Sequence, residues 1–85
     1  MAAERGEPMP AEFVEADLKR EVVVLGELLG DTRVRYRHGQ TRIGSAQKLI
    51  DLDLEIRTAL QRPLSAELQP EIRSLTARLR ALDPR

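Results

Sequence analysis

Eighty-five residues without a cysteine make a single domain that neither a disulfide nor a thiolate-bound zinc can staple. Fourteen basic side chains against fourteen acidic ones leave no net charge, whereas nucleic-acid modules are usually basic throughout. With Phe13 and Tyr36 as the only aromatics, the core has to come from 13 Leu, 5 Val, 4 Ile and some of the 9 Ala, a composition suited to helices packed on helices.

A chain of this length buries only about 60–65% of the surface it exposes when unfolded, so association with a partner would add stability that its own core lacks. Residues 1–10 carry Glu4, Glu7 and two prolines and contain no apolar stretch of a signal peptide. The longest aliphatic run, residues 22–25, is far too short to span a bilayer. A cytoplasmic location is the expectation.

The zero net charge is unevenly laid out. Residues 1–31 hold eight acidic side chains against three basic, residues 32–50 hold five basic and none acidic, and residues 51–85 hold six of each. Such an order lets an acidic segment answer a basic one, within one molecule or between two copies.

In chain order, residues 1–9 read as a flexible tail, because Gly6, Pro8 and three charges build no packed element. A single helical domain is expected over 10–82, with a flexible end at 83–85. Pro10 suits the first turn of a helix. From there Val14, Leu18, Val22, Leu25 and Leu29 recur at spacings of four, four, three and four, one helical face. Gly26 disfavours a helix interior, and Gly30 is expected to stop this first helix near residue 29.

The segment 32–43 reads in two ways. Val34 and Tyr36 alternate with Arg33, Arg35 and Arg37, and His38-Gly39-Gln40 could turn them into a short β-hairpin. The competing reading stays helical, with Leu25, Leu29, Thr32 and Tyr36 on one face and Gly39 as the cap. Ser45 then suits the N-cap of a helix running to about Gln61, closed by Pro63. Ile50, Leu52, Leu54 and Ile56 alternate with acidic residues as a strand would, yet the length and the helix-forming flanks favour a helix.

As a helix, 45–61 presents Leu49, Leu52, Ile56, Ala59 and Leu60 on one stripe and leaves Ile50 and Leu54 on a second face. Two apolar faces imply two neighbours, and this helix is expected at the centre of the bundle. The last helix, expected over 69–82 with Pro70 in its first turn, carries the sharpest pattern. Leu68, Ile72, Leu75, Leu79 and Leu82 are separated by four, three, four and three residues, the seam of a heptad repeat. About 14 residues are too few for a free coiled coil, so the seam is expected to pack inside the chain.

No catalytic constellation stands out. Asp51 and Asp53 point about 200° apart on a helix and cannot chelate one ion together. His38 is the only histidine and makes neither a zinc site nor a triad by itself. The stretch 39–44 lacks the Gly-Lys-Ser/Thr ending of a phosphate loop. The expected architecture is therefore a mainly α three-helix domain, a helical hairpin plus an N-terminal helix, with a short β-hairpin at 32–43 as the alternative there.

The expected function is a non-enzymatic protein–protein interaction module without a cofactor, a homodimeric small adaptor, assembly factor or chaperone-like subunit acting through aliphatic helix faces. Its core and interface would come from Ile50, Leu54, Leu68, Ile72, Leu75, Leu79 and Leu82. The alternative is a DNA- or RNA-binding regulator using a basic patch of Arg33, Arg35, Tyr36, Arg37, Arg42 and Lys48, whose guanidinium groups suit phosphates and whose ring suits a base.

Overall fold

The computed structural model describes residues 14–84. It contains three helices, α1 (Glu15–Arg37), α2 (Ala46–Leu60) and α3 (Leu68–Leu82), and no strand among the described residues. The expected class, a small mainly helical domain, is the one that forms. The tail over 1–9 and the helix start at Pro10 lie outside the described residues. No described helix is long and apolar enough to cross a membrane.

α1 corrects the expected stop at Gly30. The helix runs two further turns, because Thr32 continues the buried stripe of Leu18, Leu25 and Leu29 and its hydroxyl donates to the Leu28 carbonyl at 2.8 Å. A local stop signal loses to a stripe that keeps burying surface. The actual end is at Gly39, whose φ of +70° is the left-handed conformation that favours glycine. The Gly39 N–H donates to the Tyr36 carbonyl at 3.1 Å and the Gln40 N–H to the Arg35 carbonyl at 2.8 Å. This pair of bonds is the Schellman closure. The helical alternative for 32–37 therefore holds and the β-hairpin does not form, since 38–45 is turn and loop.

α2 begins after Ser45 and ends at Leu60 with Gln61 as its C-cap, as the sequence suggests, although the Ser45 hydroxyl makes no capping hydrogen bond. α3 begins at Leu68, one residue before the expected start, and places Leu68, Ile72, Leu75 and Leu79 in the core. Leu18, Leu25 and Leu29 meet them from α1, and Leu52, Ile56 and Ala59 from α2. Full burial of each large aliphatic side chain contributes about 1.5–3 kcal/mol.

The order of packing differs from expectation in one respect. α3, not α2, is the central element: it packs on both neighbours, while α1 and α2 touch each other lightly. α3 runs parallel to α1, since Glu21 pairs with Arg73 near one end and Arg35 with Asp83 near the other. It runs antiparallel to α2, since Glu55 pairs with Arg78 and Glu71 reaches Arg62 just beyond the end of α2. A narrow seam fits between two helices, each pressing on one flank of it. The second face of α2 meets solvent, so counting apolar faces overstated its number of neighbours.

Candidate functional site

The residues expected to form the interface divide into two sets. Leu68, Ile72, Leu75 and Leu79 are interior, and Leu82 is half-buried. Ile50 and Leu54 are open, with 56% and 66% of their surface exposed. One turn separates them on α2, about 40° apart around its axis by the 100° advance per residue. Beside Leu54 an open groove of about 490 Å³ runs between α2 and α3, with Thr58, Ala59, Ser74 and Leu75 among its lining residues.

Every acidic group around this face has a partner within the chain. The Gln47 amide donates to Asp51 at 2.8 Å. Asp53 accepts from Arg57 at 2.8 Å and stands 3.5 Å from the Arg33 guanidinium. Glu55 accepts two hydrogen bonds from Arg78, at 2.8 and 2.9 Å. Those bonds hold the Glu55 carboxyl below its ordinary value and raise the Arg78 guanidinium, with the opposite charge across the pair adding to both shifts. The Thr58 hydroxyl turns inward along the helix to the Leu54 carbonyl at 2.9 Å. What α2 offers to solvent is two aliphatic side chains in a frame of hydrogen-bonded and ion-paired polar groups.

The expected basic patch is not brought together. Positions two apart on a helix point about 200° from each other, and Arg33, Arg35 and Arg37 follow that rule. Arg33 turns toward Asp53 on α2, whereas Arg35 turns toward Asp83 beyond α3. Tyr36 is half-buried on the core side of α1. Arg37, Arg42 and Lys48 are exposed around the 38–45 loop, and their side chains make no ion pair among the described residues.

Sequence reasoning missed the clasp at this end of the molecule. Asp83, which the sequence places in a flexible end, is buried. It accepts a hydrogen bond from the Arg35 guanidinium and another from the Arg42 backbone N–H at 3.3 Å. The second terminal nitrogen of Arg35 is buried without a hydrogen bond and stands 3.7 Å from Asp31. One carboxylate thus fastens the end of α1, the α1–α2 loop and the end of α3. At the far end Arg73 donates to Glu21 at 2.9 Å, and that hydrogen bond raises its own pKa. Both ties join residues about fifty positions apart, where helical periodicity carries no signal.

Among the described residues no group of three or more histidines, cysteines or carboxylates could hold a metal ion. Comparison with known proteins adds no functional assignment: no family, no curated protein and no solved structure matches the chain.

Proposed function

We propose that this protein is a non-enzymatic protein–protein interaction module, a small adaptor, assembly factor or chaperone-like subunit of the cytoplasm, that binds through the outer face of α2. The observation supporting this reading is the exposure of Ile50 and Leu54 on a helix whose opposite face is fully engaged in the core. The helix is thereby held rigid, so a partner would pay little conformational entropy to dock on it. Scattered exposed aliphatics are ordinary on soluble proteins. Two on adjacent turns, beside a groove and framed by hydrogen-bonded polar side chains, form a ready apolar centre with a polar rim.

The DNA- or RNA-binding alternative finds less support, because Arg33 and Arg35 are engaged by Asp53 and Asp83. A photo-reactive residue at Gln47, on the outer face of α2, tests the proposal in the native cell, with the same probe at Glu27 on the solvent side of α1 as control. Adducts of defined mass specific to position 47 are expected. Equal labelling at both positions would reject the reading.

A further inference from the structure

We infer that residues 1–13 fold back at Val14 and lie extended in the groove between α1 and α3. No residue of α2 lines that groove, so the inference stands apart from the reading of the α2 face. The first part of the groove, about 390 Å³, has Val24 and Ala77 in it and Arg20, Arg73 and Arg80 along its edges. The second part, about 470 Å³, continues past Arg80 and Leu28 to Thr32 and Asp83. Val24 is 44% exposed there.

The charges along the groove are unequally answered. Arg20 pairs with Asp17, and Arg73 with Glu21. Arg80 is exposed and makes no ion pair among the described residues. Just beyond it on the α1 side, Asp31 stands 3.7 Å from Arg35 with 51% of its side chain exposed. An apolar position, a cation and an anion therefore follow one another from Val24 onward.

The segment before α1 carries the complementary order. Counted back from Val14 come Met9, Glu7 and Arg5. Val14, the N-cap of α1, has extended dihedrals, so the backbone leaves the helical path there. Pro8 and Pro10 fix φ and favour the extended polyproline form.

Heights along the groove then select the register. The Arg73–Glu21 hydrogen bond levels the parallel helices, and Arg80 and Leu28 each stand seven residues beyond it. At about 1.5 Å per helical residue, Val24 lies about 15 Å from Val14, Arg80 about 21 Å and Asp31 about 26 Å. At about 3.1 Å per extended residue, Met9 reaches about 15 Å, Glu7 about 22 Å and Arg5 about 28 Å. All three side chains of the arm arrive beside their counterparts. A generally acidic partner would answer Arg80 alone.

Exposed ion pairs add little strength, but a tether of a few residues supplies a high effective concentration. The pairs set the register, and the adaptable Met9 side chain covers Val24. An arm seated in this way closes the α1–α3 groove to other partners.

The absence of any cysteine in the chain makes Gly6→Cys a unique attachment point for a nitroxide. Paramagnetic broadening is expected at the backbone amides of 28–32 and 77–83, and not at 50–54. Broadening confined to the first two turns of α1 would overturn the docked arm. Nitroxide-bearing chains mixed with isotope-labelled parent chains separate the source. Broadening in that mixture as strong as within one chain would give the groove to the arm of a second copy, and the inference would fail.

Arg80→Glu, at an exposed site, is expected to reduce the broadening at 77–83 by about twofold or more. Adding Glu7→Arg to it should restore the parent pattern. A double variant no more broadened than Arg80→Glu overturns the register. The α2 face is tested separately, by photo-labelling at positions 47 and 27, so either reading can fail alone.

Discussion

Leu79 and Leu54 have the same side chain, and each sits on a 15-residue helix. Leu79 is 1% exposed and Leu54 is 66% exposed. The stripe of α3 has neighbours on both flanks, while the second face of α2 meets none among the described residues. Periodicity identifies an apolar face, but only the count of helices available to cover it decides whether that face becomes core or surface. With α3 in the middle, the inner faces are covered and aliphatic side chains on the outer faces, Ile50 and Leu54 on α2 and Val23 and Val24 on α1, stay exposed.

The sharpest way to break this contrast is to charge the covered stripe. Leu75→Glu places a carboxylate among Ile72, Leu79 and Ile56, where burying an unpaired charge costs more than a small domain's whole stability. Loss of the far-ultraviolet helical signal at ambient temperature is the expected result. A folded Leu75→Glu protein would contradict the central position of α3.

Next in size is the clasp. Asp83→Ala leaves the Arg35 guanidinium without its closest anion and frees the Arg42 N–H. The expected loss is about 2–3 kcal/mol, below the range for a fully buried pair because 17% of the Arg35 side chain remains exposed. Urea unfolding measures the loss, and hydrogen exchange should show the 38–45 amides opening first.

The glycines refine the comparison between engaged and free surface. Nothing lies within 4 Å of a Cβ added at Gly26 or Gly30, so alanine at either position is expected to stabilise α1 by about 0.5–1 kcal/mol. At Gly39 the space is equally open but φ is +70°, and alanine there should cost about 1 kcal/mol. Opposite shifts in melting temperature, each of several degrees for a domain this size, would separate space from backbone geometry as the controlling factor.

The smallest expected effect is electrostatic. Hydrogen bonds from Arg78 hold Glu55 below its ordinary value near 4.5, so the pair's contribution is complete above that pH and fades as acid titrates the carboxylate through its lowered pKa. Melting curves of the parent and of Glu55→Gln should differ slightly at neutral pH and converge as the pH drops below 4.5.

How much of this was legible in the sequence depends on the range of the interaction. The α3 seam was legible because its 4-3-4-3 spacing leaves one solution, and the same arithmetic placed Ile50 and Leu54 on a second face of α2, though not which helix takes the centre. The end of α1 was legible only as two alternatives, since Gly30 is a genuine local stop signal and the helical reading capped by Gly39 is decided by the burial of Thr32. The Arg35–Asp83 tie was illegible for a different reason. Two charges 48 residues apart become neighbours only through a parallel α1–α3 packing that no local pattern encodes. The basic segment is divided for a related reason, because on a helix Arg35 points about 200° away from Arg33 and Arg37.

The middle position of α3 also sets the timing of folding. α1 and α2 touch lightly, so during synthesis neither has a surface on which to settle until residues 68–83 have left the ribosome. The α2–α3 hairpin, closed by a loop of only seven residues between Leu60 and Leu68, is then the local event. The return of α1 across some fifty positions is the slow, entropically costly one. A nascent chain halted before residue 68 would hold two amphipathic helices with their leucines exposed, the state most in need of a chaperone.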